Sequence, residues 1–261
     1  MCTATWTHDE GGYQLLFNRD EKLTRKPAVA PRLTVREGVR CFAPIDGDFG
    51  GAWIGTNEFG VSLCLLNGAN LTHEGRPCTQ EPRSRGLFLL DLIPSPSLDA
   101  IGERVHEADL RALAPFTLVA LETGRAAALI EWNGARKTVC FQSESRFMLT
   151  SSSFDTEEVR KRRREEYARA LNSGRLFDFH RSHNPTAGAY SPCMHRLDAA
   201  TVSFSWIRVS KAETNFFYTP AAPCMRVPGV NRKLTRRAVL IGRSSGSSRS
   251  LPARAAEHPA A

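Results

Sequence analysis

The stretch MCTATWTHDEGGYQLLFNRDE, residues 1–21, carries the reading of the fold. Thr3-Ala4-Thr5-Trp6-Thr7 is rich in β-branched and aromatic side chains, Asp9-Glu10-Gly11-Gly12 has the composition of a turn, and Tyr13-Gln14-Leu15-Leu16-Phe17 is a second strand-like run. The pattern predicts a hairpin that begins at the first residues. Pairing that far forward would seat Cys2 at the end of a sheet instead of in a fraying terminus. It would also return Asn18-Arg19-Asp20-Glu21 to the side of Cys2. Side chains alternate along a strand, so Arg19 and Glu21 are expected on one face and Asp20 on the other.

Removal of Met1 would leave Cys2 with a free α-amine and a thiol on one residue, a nucleophile together with its base. The amine, with an ordinary pKa of about 7.7–8.0, titrates close enough to neutrality to take the thiol proton and return it. No distant histidine is then required. A cysteine at position two is a weak motif alone, and an accidental cysteine in a flexible end is the competing reading.

Further along, Val39 to Ala43, Ala52 to Thr56 and Val61 to Leu66 are strand-like runs separated by turn compositions, which predicts an antiparallel meander. Gly50, Gly51 and Gly55 fit turns and bulges better than a ligand-cradling loop, since no Gly-Lys-Ser/Thr follows them. Asn67 stands where the last of these runs passes into Gly68-Ala69-Asn70. An amide there can donate to a developing oxyanion, worth about 2.7–4 kcal/mol where measured, or can serve the turn. Residues 84–108 read as helical, interrupted by Pro94 and Pro96 and restarted by Ser97 as a cap. Phe116 to Glu122, Ala126 to Trp132 and Lys137 to Phe141 read as hairpin strands, Phe147 to Ser151 as another, and Asp155 to Leu171 as a helix. That helix holds Arg160-Lys161-Arg162-Arg163-Arg164, balanced by Glu157, Glu158, Glu165 and Glu166, and reads as a solvated charged face. His180, His183, Cys193 and His195 have no diagnostic ligand spacing, and no second cysteine-histidine pair follows in the chain, so no metal is expected. Arg196 precedes a strand that starts near Thr201, where it can hold a carboxylate or pair with Asp198.

Met1-Cys2, the Asn18-Arg19-Asp20-Glu21 tetrad, Gly50-Gly51-Ala52-Trp53-Ile54-Gly55 and Asn67 together resemble the NRDE family, also called the transport-and-Golgi-organisation protein 2 family. That family is similar to cysteine N-terminal-nucleophile (Ntn) hydrolases such as penicillin V acylase and bile salt hydrolase. The resemblance implies an α+β fold, a four-layer αββα sandwich of two antiparallel sheets. It implies Cys2 as nucleophile, Arg19 beside the thiolate, Asp20 on the α-amine, Asn67 near the oxyanion and Arg196 closing the site, with Trp53 and Ser152 touching substrate. In the hydrolases two residues separate the arginine from the aspartate, whereas Arg19 and Asp20 are adjacent, so either Asp20 or Glu21 is left to face inward. The implied activity is acyl transfer on a non-peptide amide or thioester bond, without a cofactor. The alternative is a non-catalytic carrier on the same fold, of haem or of acyl-CoA-related lipid. The expected partner is thus a small acyl or amide substrate or a hydrophobic ligand.

At 261 residues and 41% hydrophobic, the chain has enough apolar content for one sizeable core. The expected division is a domain over 1–225 and a basic tail over 226–261. Of the formal +8, the tail carries eight Lys or Arg against Glu257, leaving about +1 on the remainder. A Ser-, Gly-, Pro- and Ala-rich tail of this kind is expected to be solvated, and it does not make the protein a specific nucleic-acid binder. No run reaches the ~20 apolar residues of a membrane span, and no secretory signal is read at the start. Seven scattered cysteines without CxxC pairs suit a reduced, cytoplasmic protein. The sequence does not determine oligomeric state.

Overall fold

In the structure, a computed structural model that describes residues 2–68 and 83–238, the first two strands are β1 (Cys2–Asp9) and β2 (Gly12–Lys22). Their antiparallel register sets Cys2 opposite Arg19 and Asp9 opposite Gly12. Ala4, Trp6, Leu15 and Phe17 on one face are buried, and so are Thr3, Thr5, Asn18 and Asp20 on the other. A strand pair buried on both faces must lie inside a layered structure, with a different layer on each side.

Those layers follow from the remaining elements. Strands β3 (Val29–Arg36), β4 (Val39–Ile45), β5 (Ile54–Asn57), β6 (Ser62–Asn67), β7 (Phe116–Leu121), β8 (Ala127–Trp132) and β9 (Lys137–Gln142) form one antiparallel sheet in chain order. The other sheet has the order β10-β1-β2-β11-β12-β13, with β10 (Arg146–Ser151), β11 (Ala199–Ser210), β12 (Glu213–Thr219) and β13 (Val230–Thr235). Trp6, Phe17, Trp53, Ile54, Val119 and Phe216 pack between the sheets. On the outer side of the seven-stranded sheet, Leu63, Leu65, Leu118 and Ile130 meet Leu89 of α1 (Arg85–Leu92) and Ile101 of α2 (Leu98–Glu107). On the outer side of the six-stranded sheet lie α3 (Thr156–Ser173) and α4 (Leu176–Arg181), whose Tyr167 and Phe179 pack with Met148. The order is helix, sheet, sheet, helix, the expected αββα sandwich.

Local chemistry explains several boundaries. Ser97 accepts from the Ala100 amide at 3.2 Å and caps α2. A side chain on Gly51 would meet the Gly86 backbone at 2.7 Å, and one on Gly86 would meet Ala52 backbone atoms at 2.8 Å. These glycines let α1 press onto the loop before β5, which is a packing role and not a ligand cradle.

Four elements escaped the sequence reading: β3, α4, β12 and β13. Strand β13 lies beyond residue 225, where the tail was expected to begin, and it pairs with β12 through the Glu213–Thr235 to Tyr218–Val230 register. Only Leu234 of Val230–Thr235 is buried, so an edge strand with this composition resembles a basic tail. Beyond it Arg236 donates to the Phe59 and Ser210 carbonyls, and Arg237 lies 3.6 Å from Glu58. Residues 239–261, Asn70 and Cys78 lie outside the described residues. Among the described residues no helix is long and apolar enough to cross a membrane.

Candidate active site

Cys2 is the first residue of β1 and is flanked by Arg19 of β2 on one side and Ser151 of β10 on the other. Two-sided pairing holds it in place. Its backbone nitrogen, which becomes the α-amine when Met1 is absent, donates to Ser151 Oγ at 3.2 Å, and Thr150 Oγ1 donates to its carbonyl at 3.1 Å. The residue is 7% exposed and packs in the intersheet core. Burial pushes the thiol pKa up and the nearby Asp20 charge adds to that, while the Asp20 backbone amide and the Arg19 guanidinium favour the thiolate.

Each member of the tetrad has its own partner. Asn18 donates to the His180 and Pro192 carbonyls at 2.9 and 2.8 Å and so ties β2 to the segment covering it. Arg19, on the same face as Cys2, pairs with Asp46 and lies 3.5 Å from Glu21, with its guanidinium 3.9 Å from the centre of the Trp53 ring. That stacked, twice-paired arrangement holds a planar cation beside Cys2. Asp20 faces the opposite way, as alternation requires. It accepts from Thr201 Oγ1 at 2.6 Å and faces Arg163 at 3.4 Å, both ionic side chains being fully buried. Glu21 turns to the Arg19 face and also reaches Arg25 at 3.3 Å. Asp20 is therefore the buried carboxylate of the two, and Glu21 steadies the arginines.

A cleft of about 610 Å³ opens beside this end of β1, a size within the ~300–1,000 Å³ of small-molecule sites. Asp20, Asn67, Ser151, Ser152 and Arg196 line it. A second cleft of about 500 Å³ shares Asn67, Ser151 and Ser152. Asn67 is exposed at the end of β6. Ser152 Oγ accepts from the Phe154 amide at 3.0 Å and donates to the Phe154 carbonyl at 2.5 Å. Arg196 forks onto Asp198 at 2.9 and 2.8 Å and lies over the Phe154 ring, so it pairs with Asp198 and lines the cleft at once. Cys2 itself and Trp53 are not on the described wall. Trp53 is buried beneath Arg19, where it carries the guanidinium.

Sequence reasoning passed over Arg85, Asp46 and Arg163. Arg85, the first residue of α1, lines the larger cleft and donates to the Pro115 carbonyl at 2.8 Å. Burial lowers its pKa, whereas the Cys2 and Glu21 charges raise it. It adds a second cation near the thiol.

Beneath the hairpin, His180 bonds to Thr5 Oγ1 at 2.8 Å and to Asn18 Oδ1 at 3.0 Å. Burial, helped by the Arg163 charge, lowers its pKa from 6.5 to about 3. The unfolded chain then binds a proton between those two values and the folded chain does not. Stability is complete above pH 6.5 and falls as the solution is acidified towards pH 3. From pH 7 to pH 5 this residue should cost about 2 kcal/mol. Urea denaturation at both pH values should show that slope in the parent chain and a flatter one in His180→Asn; equal slopes would contradict a buried neutral imidazole.

No curated protein matches the sequence. Among solved structures, the chain is similar to a mutant conjugated bile acid hydrolase from Clostridium perfringens, with a TM-score of 0.54 at 12% identity over 92% of this chain and 97% of that one. It is similar to the Caenorhabditis elegans N-acylethanolamine-hydrolyzing acid amidase orthologue, with a TM-score of 0.58 at 11% identity over 86% and 94%. Penicillin V acylase from Agrobacterium tumefaciens gives 0.55 at 9% identity over 88% and 85%. At these identities the likeness speaks for the Ntn-hydrolase fold. The family model described as Transport and Golgi organisation 2 matches residues 1–185, the span that holds the hairpin, the tetrad and the whole seven-stranded sheet, and the chain belongs to that family.

Proposed function

We propose that the chain, after loss of Met1, is a cysteine N-terminal-nucleophile amidohydrolase acting on a small non-peptide amide or thioester. The observation that carries this reading is the seating of Cys2 between Arg19 and Ser151 beside the Asp20–Asn67–Arg196 cleft. The α-amine takes the thiol proton and the sulfur attacks the acyl carbon. The tetrahedral oxyanion is met by Asn67 Nδ2, and the amine returns the proton to the leaving nitrogen as the C–N bond breaks. Water then cleaves the thioester with the same amine as base, releasing the carboxylic acid. Arg19 keeps a positive charge beside the sulfur, and Arg85 or Arg196 attracts an anionic group on the substrate.

The test compares two purified forms, one with Cys2 at the amino terminus and one with a short uncleavable extension before it. Turnover of N-acyl amides and acyl thioesters is expected in the first alone, because an amide nitrogen at Cys2 has no basic lone pair. Equal turnover in both would overturn the role of the α-amine. Binding of an acyl-CoA or haem that is unchanged by the extension, with no turnover in either form, would favour a carrier.

A further inference from the structure

The chain was expected to lack a metal set because His183, Cys193 and His195 had no matching partners in sequence. The fold brings Cys224 beside them. One ligand atom from each of His183, Cys193, His195 and Cys224 lies within 4.8 Å of all the others. Cys193 Sγ and Cys224 Sγ each lie 3.4 Å from His195 Nε2, and the two imidazole rings are 5.0 Å apart. Zinc bonds of about 2.3 Å to sulfur and about 2.0–2.1 Å to nitrogen place S and N about 3.5 Å apart along a tetrahedral edge. The observed spacings match that edge before any ion is added.

We propose that His183, Cys193, His195 and Cys224 form a structural Cys₂His₂ zinc site. Four protein donors complete a tetrahedron and leave no position for substrate, which separates this site from catalytic zinc centres. Two soft sulfurs with two imidazoles select zinc over magnesium or calcium, which prefer oxygen donors. On binding, the two thiols lose their protons to solvent and the imidazoles coordinate as neutral rings.

The ligands come from three segments, two of which are also joined where the Cys193 amide donates to the Ser182 carbonyl at 3.0 Å. His183 follows the end of α4, Cys193 and His195 lie on the stretch leading into β11, and Cys224 lies on the connection from β12 to β13. Met194 and Arg196, the neighbours of His195, line the larger cleft. Met194 is tied further by its amide, which donates to Thr201 Oγ1 at 2.8 Å, the hydroxyl that donates in turn to Asp20. A bound ion would thus fix the cleft wall that carries Arg196.

The test uses the full chain purified under reducing conditions. Elemental analysis should find close to one zinc per chain in the parent and in Cys2→Ala, and background zinc in Cys193→Ser/Cys224→Ser. Chelator-stripped parent protein should take up Co²⁺ with the sulfur-to-cobalt charge-transfer band and the intense visible bands of a tetrahedral site. Zinc should also slow iodoacetamide labelling of Cys193 and Cys224 at least tenfold, while Cys140 labelling stays unchanged. If the double variant fails to fold, the cobalt spectrum and the labelling of the parent chain decide. Zinc retained by the folded double variant, labelling indifferent to zinc, or a Cys193–Cys224 disulfide in the reduced preparation would overturn the proposal.

Discussion

Replacing Cys2 with alanine is expected to lower acyl-substrate turnover by about 10⁴-fold or more, since the nucleophile is removed and the α-amine has no thiol to activate. The same change should be mild for the fold. Cys2 contributes one small thiol to a core cluster that also holds Trp6, Phe17 and Trp53, and its backbone pairing to Arg19 and Ser151 does not depend on the side chain. Thermal denaturation should therefore show a nearly native transition while steady-state hydrolysis is lost. A Cys2→Ala protein that keeps most of its turnover would remove Cys2 from the chemistry. Cys2→Ser should fall between the two, because the hydroxyl is the poorer nucleophile in the same position.

Arg163→Met is expected to destabilise the fold by about 3–5 kcal/mol, the usual cost of removing one member of a buried ion pair. Arg163 has no exposed side-chain surface, and its guanidinium donates to Thr3 Oγ1 at 2.5 Å, Thr150 Oγ1 at 3.0 Å and Asp20 Oδ2 at 3.4 Å. Those acceptors belong to β1, β10 and β2, so one side chain stitches the three strands that surround Cys2. Without it the Asp20 carboxylate stays buried beside one fewer cation. Adding Asp20→Asn to Arg163→Met should cost less than the sum of the two single changes, a coupling readable in a double-mutant cycle by urea denaturation. Arg160→Met and Lys161→Met, at exposed positions of the same helix, should stay within about 0.5 kcal/mol of the parent. An Arg163→Met loss no larger than theirs would contradict this account of the pair.

Arg163 also shows where the sequence was legible and where it was not. The hairpin over residues 2–22 was readable because its alternation, its glycine turn and its β-branched residues all agree, and it sets Cys2 opposite Arg19. Ser97 as a cap and the paired strands from Phe116 to Gln142 were readable for the same reason: local chemistry decides them. Arg163 was hidden in a run of five basic residues taken for a solvated face. Its periodicity carried the missing signal, since Val159, Arg163, Tyr167 and Ala170 form the buried stripe of α3. Strand β3 buries one residue of eight, and on β13 Arg232 stands between Val230 and Leu234 on the less exposed face, so neither sequence shows the apolar alternation that marks a half-buried strand. Arg85, Asp46 and Cys224 reach their sites only through packing between distant segments, which no spacing along the chain reveals.

The measurement that bears most directly on the central claim is intact-mass analysis with peptide mapping after brief exposure to an activated acyl probe. The expected product is a chain lacking Met1 and carrying one acyl group at Cys2, with Cys64 and exposed Cys140 unmodified and the label absent from Cys2→Ala. A chain that retains Met1, or a label that settles on Cys140 and survives Cys2→Ala, would contradict the claim that the amino-terminal cysteine is the nucleophile of this fold.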